Sequence, residues 1–410
     1  MTGIDQVRRD LLKIYQAGIE GVNGRCAVSA HLETHPLTGN WSVIAIGKAA
    51  QAMAQGAADV LGDRLSGGLV ISKTGHLDPR WLASSVFLGV ESSHPVPDQR
   101  SIDAGRQLLA FIAQQPEHGQ LLFLISGGAS SLVEVLPEGV ALDDLQALNR
   151  WMLGNGWSID RMNQVRRSVS LIKGGGLLNY LGERQVAGLL ISDVPGDDPT
   201  VIGSGLLVSP TEPGPSSALA ELPDWVARLT ALGADRPVAR KTVELTVVAN
   251  LRQAREAAAE TATQLGYKVN LSHAMICGDV LTVARRMALE LSDSLPGVFI
   301  WGGETTITLP EQPGRGGRNQ HLALAAARVL DGHDDVCFLA AGSDGTDGPG
   351  EDAGALVDGA TLARGRRQGL DADDCLARAD SGTFLEASGD LVNTGPTGTN
   401  VMDLMIGIKL

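Results

Sequence analysis

The sequence lacks the features that mark nucleic-acid-binding, disulfide-stapled and membrane-spanning proteins. Its 410 residues carry a formal net charge of -14, whereas nucleic-acid-binding domains usually present a basic surface to phosphates. Its four cysteines, Cys26, Cys277, Cys337 and Cys375, are far apart without a CxxC spacing, which argues against a disulfide framework and a zinc site. No run approaches the roughly 18 apolar residues of a membrane span. We therefore expect a globular protein with neither a nucleic-acid partner nor a membrane partner.

The start of the chain and its composition narrow the class further. Residues 1–5 lack the basic start and the apolar stretch of a signal peptide, so we expect a cytoplasmic protein. Aromatic residues make up 4% of the chain and hydrophobic residues 43%, so small aliphatic side chains should fill the core. The 51 glycines collect at the ends of apolar runs, which indicates tight turns and close approach of ligands.

Short apolar runs rich in β-branched residues end abruptly in small polar residues, and Ala/Leu-rich helical patterns follow several of them. This alternation predicts an α/β protein with parallel sheets, whose strands are apolar on both faces. The predicted strands cover residues 42–46, 69–72, 121–125, 186–191, 245–248, 298–301, 336–341 and 402–408. The predicted covering helices span residues 51–61, 253–265 and 322–330.

The length of the chain favours two domains, because one hydrophobic core rarely organises this many residues. The strongest linker signal is the Pro/Gly/Ser-rich stretch 209–217, and a weaker one lies near Pro237. We place the domains at residues 1–237 and 238–410. The final strand is compatible with either domain.

Groups that bind anions collect directly after the predicted strands, where loops and helix starts converge in open α/β sheets. Lys48 follows the first strand, in a strand-to-helix turn. Ser126, Gly127, Gly128 and Ser130 follow the third strand. Their amides and hydroxyls suit an anion at the start of a helix.

Carboxylates follow two other strands, and further polar groups follow a third. A sheet edge with both anion-binding loops and carboxylates suits phosphate and metal together, because carboxylate oxygens are the ligands that Mg²⁺ prefers. The acidic residues are Asp193, Asp197 and Asp198 after one strand and Asp344 and Asp347 after another; Gly303 and Glu304 follow the strand between them.

Two groups of cations stand near glycines. Asn163 and Arg166 precede Lys173, which opens a run of three glycines. Arg318 follows two glycines and opens a predicted helix. A guanidinium in that position can approach a carboxylate or a phosphate closely, and its planar fork suits bidentate contact.

Taken together, these motifs resemble the glycerate 2-kinase family over nearly the whole chain. The resemblance rests on ordered motifs at residues 46–50, 93–98, 126–131, 162–167, 172–177, 191–198, 302–306, 316–320, 344–349 and 394–400. It implies an N-terminal Rossmann-like domain with a parallel sheet, a C-terminal MOFRL α/β domain and an active site in the cleft. The implied reaction is phosphorylation of D-glycerate at its 2-hydroxyl, with ATP and Mg²⁺ as cofactors, by a monomer or a homodimer.

The resemblance also implies roles for individual residues. Lys48 and Arg318 match the family's catalytic positions, with Arg318 gripping either the glycerate carboxylate or the transferred phosphoryl group. Asp193 is a third catalytic candidate.

The remaining candidates divide by ligand. Those for Mg²⁺ or for the hydroxyl proton are Asp193, Asp197, Asp198, Asp344 and Asp347. Those for the nucleotide are Ser126, Gly127, Gly128, Ser130, Lys173, Gly303 and Glu304. Those for the substrate are Lys48, Arg318, Asn163 and Arg166.

Two alternatives stay open. One is an NAD(P)H-dependent hydroxypyruvate reductase, a name often given to sequences of this kind, although no GxGxxG fingerprint follows a strand. The other is a non-catalytic metabolite-binding protein that has kept the pocket and lost turnover. NADH oxidation tests the first alternative, and nucleotide binding without transfer tests the second.

Overall fold

The computed structural model describes residues 3–155, 157, 159–208, 222–233 and 241–410. The chain divides into two compact units, residues 24–248 and residues 1–23 with 249–410. The predicted boundary near Pro237 and the predicted linker 209–217 lie outside the described residues. The units part after Val248, and the first 23 residues belong with the C-terminal half of the chain.

The strands are β1 (Trp41–Ile46), β2 (Leu65–Lys73), β3 (Phe87–Ser92), β4 (Gln120–Ile125), β5 (Gln185–Ile191), β6 (Glu244–Ala249), β7 (Val269–Ile276), β8 (Gly297–Gly303), β9 (Val336–Gly342), β10 (Gly354–Asp358), β11 (Leu391–Val392) and β12 (Asp403–Lys409). All predicted strands are present, with ends shifted by a few residues. Four further strands, β3, β7, β10 and β11, were not predicted.

The helices are α1 (Gly3–Glu20), α2 (Gly24–Thr34), α3 (Ala50–Leu61), α4 (Pro79–Ala83), α5 (Gln99–Gln114), α6 (Ala129–Leu132), α7 (Leu142–Gly154), α8 (Ile159–Ser168), α9 (Asp224–Leu232), α10 (Leu251–Gln264), α11 (Val280–Asp293), α12 (Arg318–Val329), α13 (Thr361–Arg367), α14 (Ala372–Ala377) and α15 (Ser381–Ser388). Among the helices described, none combines the length and the apolar character that a bilayer crossing requires.

The first sheet has the strand order β3-β2-β1-β4-β5-β6. Strands β3, β2, β1, β4 and β5 pair in parallel. Every residue of β1 is buried, as expected for an apolar strand covered on both faces. This order is that of the doubly wound nucleotide-binding folds, so the Rossmann-like prediction is confirmed. The direction of strand addition reverses between β1 and β4.

The second sheet has the order β11-β10-β9-β12-β8-β7 and is mixed. Strands β7 and β8 are parallel, but β12 runs antiparallel to both β8 and β9. The expectation of a purely parallel sheet is therefore wrong for this unit. Asp403, the first residue of β12, lies opposite Gly303 and Gly342, the last residues of β8 and β9. Strand β12 therefore begins at the edge of the sheet where β8 and β9 end. The final strand thus lies inside the C-terminal sheet.

Helix α1 explains why the first residues do not belong with the first sheet. Its buried face packs on α10 and on the second sheet. Tyr15 donates a hydrogen bond of 2.7 Å from its hydroxyl to the carbonyl of Gly342. Arg8 pairs with Asp358 and with Asp390 at 2.9 Å. These contacts span more than 300 residues of sequence, so no local pattern announces them.

Candidate active site

The ends of β1 and β4 meet closely at the point where strand addition reverses, which is where ligands bind in such sheets. Gly47 has a φ of 135°, and a side-chain carbon there would lie 2.1 Å from Ser126 Oγ. Lys48 donates its backbone N–H to the carbonyl of Gly127 at 2.9 Å. Glycine is therefore required at residue 47, and Lys48 is fixed by its backbone.

Ser126 is engaged within the protein. Its side chain is fully buried, and its hydroxyl oxygen accepts a hydrogen bond of 3.1 Å from the backbone N–H of Ala49. The prediction that Ser126 contacts the nucleotide is therefore not supported by its placement. Its hydroxyl instead ties the β4 turn to the start of α3.

Gly128 connects Lys48 to the loop that carries His94. Its φ is 85°, and a side-chain carbon built on it would lie 3.3 Å from Lys48 Cγ and 3.1 Å from His94 Cδ2. The Lys48 stem and the His94 ring therefore both lie against this glycine.

A cavity of about 190 Å³ opens beside Gly128. It brings together Ser130, Arg166 and Lys173, three of the predicted ligand-binding residues. Sequence reasoning did not single out Ser131 or Asn149, and left His94 open between contacting a ligand and fixing its proline-rich loop. The polar side chains that line the cavity are His94, Ser130, Ser131, Asn149, Arg166 and Lys173.

Lys173 is held at the wall of this cavity by a buried carboxylate. It forms an ion pair with Glu134, and the two side chains are 3% and 0% exposed. Glu134 Oε1 also accepts hydrogen bonds from the Ser170 hydroxyl at 2.6 Å and from the Val135 backbone N–H at 3.0 Å. The sequence offered one signal for Glu134, a single charge within an apolar stretch.

Arg166 lines the same cavity and is held by neutral groups. Its Nε donates to Asn149 Oδ1 at 2.7 Å, and its Nη1 donates to Asn163 Oδ1 at 3.4 Å. Burial lowers the pKa of Arg166, because the charged form loses hydration. Within the described residues, Arg166 forms no ion pair with a carboxylate. Asn163, a predicted substrate ligand, thus contacts Arg166.

The acidic turn after β5 has three differently placed carboxylates. Asp193 is half-buried directly beyond the strand. Asp197 has a left-handed backbone with φ 55°. Asp198 is exposed and accepts a hydrogen bond of 2.8 Å from the Thr200 backbone N–H. Asp193 and Asp197 are thus both half-buried, and Asp198 is the exposed carboxylate of the three.

In the other unit, Arg318 opens α12 among carboxylates. It forms an ion pair with Glu304, and its Nη2 lies 3.6 Å from Asp403 Oδ2. Its Nη1 donates to the Thr305 carbonyl at 3.2 Å. Burial lowers the pKa of Arg318, but the charges of Asp403 and Glu304 outweigh burial and raise it. Gly303, beside Glu304, has a φ of 152° and packs against the Ile276 backbone.

Asp347 fixes the start of α12. Its Oδ1 accepts from the backbone N–H of Asn319 at 3.0 Å, and its Oδ2 accepts from that of Gln320 at 2.8 Å. Burial raises its pKa to about 6, although these hydrogen bonds oppose the rise. Both oxygens thus hold the start of α12, and the role of Asp347 in metal binding stays a prediction.

Asp344 and Asp403 flank the end of β9. A side-chain carbon on Gly342 would lie 3.3 Å from Asp344 Oδ1 and 3.5 Å from Asp403 Oδ1. Burial raises the pKa of Asp403 to about 7. Asp403 was not predicted, although an acid opening an otherwise apolar strand was a visible signal.

Buried oxygens without hydrogen-bond partners lie on residues around Arg318. They are Asp403 Oδ2, Asn319 Oδ1 and Thr305 Oγ1. Oxygen donors of this kind fit a hard divalent cation such as Mg²⁺. Over the described residues, no group of three or more His, Cys, Asp and Glu side chains gathers to hold a metal. A magnesium ion bound here would therefore rely on few protein ligands, as is usual when phosphates supply the others.

Comparison with known proteins agrees with this architecture. Residues 10–227 match the family described as "Domain of unknown function (DUF4147)", and residues 297–403 match the MOFRL family. The chain is 36% identical to a D-glycerate 2-kinase of Thermotoga maritima over 382 residues, covering 89% of this chain and 90% of that protein. The chain belongs to the glycerate 2-kinase family.

Other members of the family extend the comparison. A glycerate 2-kinase of Pyrococcus horikoshii is 33% identical, over 91% of this chain and 88% of that protein. A protein of Agrobacterium vitis with the name "putative hydroxypyruvate reductase" is 36% identical, over 97% and 93%. The crystal structure of glycerate kinase from Thermotoga maritima matches with a TM-score of 0.83 at 34% identity, covering 99% of this chain and all of that one. The two-domain α/β prediction is confirmed.

Proposed function

We propose that this protein transfers the terminal phosphoryl group of ATP to the 2-hydroxyl of D-glycerate, giving 2-phospho-D-glycerate and ADP. The observation that carries the proposal is the 36% identity to a D-glycerate 2-kinase over nearly the full length of both chains. The groups around Lys48 and those around Arg318 support it, since phosphoryl transfer depends mainly on positioning and charge neutralisation.

Lys48 and Arg318 are the proposed catalytic cations. Lys48, held by its backbone at the reversal point of the first sheet, would offset negative charge on the transferred group. Arg318 suits the phosphoryl group better than the glycerate carboxylate, because Glu304 and Asp403 already surround it with negative charge. A metal-associated phosphate tolerates those neighbours, whereas a bare carboxylate is repelled by them.

Asp193 is the proposed acceptor of the hydroxyl proton. It is half-buried at the end of β5, in the same unit as Lys48. Asp198 is exposed and accepts a hydrogen bond from the Thr200 backbone N–H. Asp344 and Asp403 are the proposed ligands of Mg²⁺, which when bound neutralises charge on the nucleotide phosphates. Asp198 is a weaker candidate, since its Oδ1 already accepts a hydrogen bond from the Thr200 backbone N–H, and Asp197 stays a candidate from the sequence.

The first experiment is an assay with ATP, Mg²⁺ and D-glycerate that resolves 2-phosphoglycerate from 3-phosphoglycerate by NMR or by enolase coupling. We expect 2-phosphoglycerate, and no product when the metal is chelated. Formation of 3-phosphoglycerate would keep the kinase class and reject the regiochemistry. Oxidation of NADH by hydroxypyruvate without phosphoryl transfer would favour the reductase name carried by the Agrobacterium vitis relative.

A further inference from the structure

We propose that the cavity beside Gly128 binds the carboxylate of the three-carbon hydroxy acid, with Arg166 as the anion-binding group. Asn149 and Glu134 are then positioning residues that hold Arg166 and Lys173 in place. This inference rests on the proposed function, and it moves Ser130 and Lys173 from the nucleotide to the acceptor substrate.

The size of the cavity separates the two substrates. Its volume is about 190 Å³, whereas pockets for drug-sized ligands run from roughly 300 to 1,000 Å³. A cavity of this size suits a three-carbon acid better than a whole nucleoside triphosphate.

The charge of the cavity favours an anion. Two permanently charged side chains line it, and Lys173 is neutralised by Glu134. Arg166 is held by the neutral amide oxygens of Asn149 and Asn163. The charge of Glu134 also acts on Arg166, but Glu134 pairs with Lys173, so one carboxylate faces two cations and an anion in the cavity would complete the balance. A carboxylate is the planar group that matches the fork of Arg166.

The arrangement of the supporting groups favours a fixed orientation. Asn149 Oδ1 accepts a hydrogen bond of 2.7 Å from Arg166 Nε, and Asn149 Nδ2 donates one of 3.0 Å to the Leu145 carbonyl within α7. Glu134 is held by Ser170 and by the Val135 backbone, and holds Lys173 in turn. Both cationic side chains are thus oriented before a ligand arrives, which lowers the entropy lost on binding.

The test compares the KM values for D-glycerate and for ATP in Arg166→Gln, Arg166→Lys and wild type. We expect Arg166→Gln to raise the KM for D-glycerate roughly tenfold to a hundredfold, as loss of a charged hydrogen bond does, and to change the KM for ATP by less than about twofold. Arg166→Lys should fall between, because it keeps the charge without the fork. Arg150→Gln is the matched control, since Arg150 is an exposed arginine beside Asn149 on α7.

A second variant tests the positioning role without removing the arginine. Asn149→Asp keeps an oxygen for the Nε of Arg166 and adds a negative charge at the cavity wall. We expect a higher KM for D-glycerate with kcat little changed and the melting temperature preserved. A merely structural role for Asn149 would instead lower the melting temperature and leave the KM unchanged.

Calorimetric titration with D-glycerate alone separates failure of this inference from failure of the proposed function. If wild type makes no phosphorylated product but binds D-glycerate, and Arg166→Gln weakens that binding, the cavity assignment stands and the kinase proposal falls. If product forms and Arg166→Gln leaves both the affinity and the KM for D-glycerate unchanged, the cavity assignment is overturned. Absence of both product and D-glycerate binding overturns both.

Discussion

Arg166 in the last turn of α8 and Arg318 at the start of α12 are both partly buried, yet their surroundings differ in charge. Two neutral amide oxygens hold Arg166, and burial lowers its pKa. Glu304 and Asp403 surround Arg318, and their charges raise its pKa. The difference bears on two tasks, carboxylate binding and phosphoryl binding, which the sequence left open for Arg318, whereas Arg166 was predicted only as a substrate ligand.

A guanidinium among amides keeps an unbalanced positive charge, so it is suited to a free carboxylate. A guanidinium among carboxylates has no positive charge to spare, so it suits phosphate that arrives with a metal ion. Each unit thus offers groups matched to a different reactant of a kinase. The comparison explains why the chain needs acidic and basic turns together.

The largest change that we expect is loss of turnover in Lys48→Ala. The stem of Lys48 passes close to Gly128, and Gly128 lines the Arg166 cavity. Removing a group that stabilises transition-state charge typically lowers kcat by roughly a hundredfold to a thousandfold. The fold should persist, because Lys48 is held by its backbone N–H, which alanine retains.

The measurement is kcat with saturating ATP and D-glycerate, together with a melting curve. Lys48→Arg, which keeps the charge, should retain part of the activity. Lys13→Ala, an exposed lysine on α1, is the control and should match wild type. Near-normal turnover in Lys48→Ala would remove Lys48 from the mechanism.

The second change tests how much Asp347 stabilises the start of α12, where Arg318 lies. Asp347→Ala leaves the backbone N–H groups of Asn319 and Gln320 buried without acceptors at the start of α12. Each such group costs about 1–3 kcal/mol, so we expect the free energy of unfolding to fall by roughly 2–5 kcal/mol. Turnover should also fall, because α12 begins at Arg318.

Asp371→Ala is the matched control for this prediction. Asp371 accepts a hydrogen bond of 2.9 Å from the Asp374 backbone N–H at the start of α14, but it is exposed. Loss of an exposed cap costs about 1 kcal/mol. Chemical denaturation measures both variants. Equal destabilisation in the two would show that burial of Asp347 adds nothing.

How many of the strands could be predicted from the sequence depends on how deeply each strand is buried. The central strands were predicted because they are apolar along their whole length, as in β1 and β9. The edge strands β3 and β7 were missed because most of their side chains are exposed or half-buried, which leaves no apolar run. The short strand β10 is buried throughout, but its five residues include a glycine.

The candidate site shows the same division. Glycine-flanked cations such as Lys48, Lys173 and Arg318 could be found, because the glycines mark places where backbone and ligand approach closely. Asn149 could not be found, since an asparagine within a helix carries no distinct pattern. Its importance comes from a contact with Arg166 across 17 residues of sequence. The roles of all these residues stay predictions until the variants are measured.

The smallest effect that we expect is a pH dependence of stability caused by Asp403. Burial raises its pKa to about 7 from an ordinary 3.8, in surroundings that include Arg318, Glu304 and Asp347. Between those pH values the folded protein binds a proton that the unfolded chain has released. The stability from this proton is therefore full below about pH 4 and is lost as the pH rises through about 7.

Asp403→Asn removes this titration. The free energy of unfolding of the variant, minus that of wild type, should thus become more favourable from pH 5 to pH 8. Asp335→Asn is the control: its hydrogen bond with Lys409 lowers the pKa of Asp335, so its titration lies at more acidic pH and its difference should stay flat over that range. Denaturant unfolding at both pH values measures the two differences. A flat difference for Asp403→Asn would mean that Arg318 keeps Asp403 ionised. The surroundings of Arg318 would then carry more negative charge than we infer.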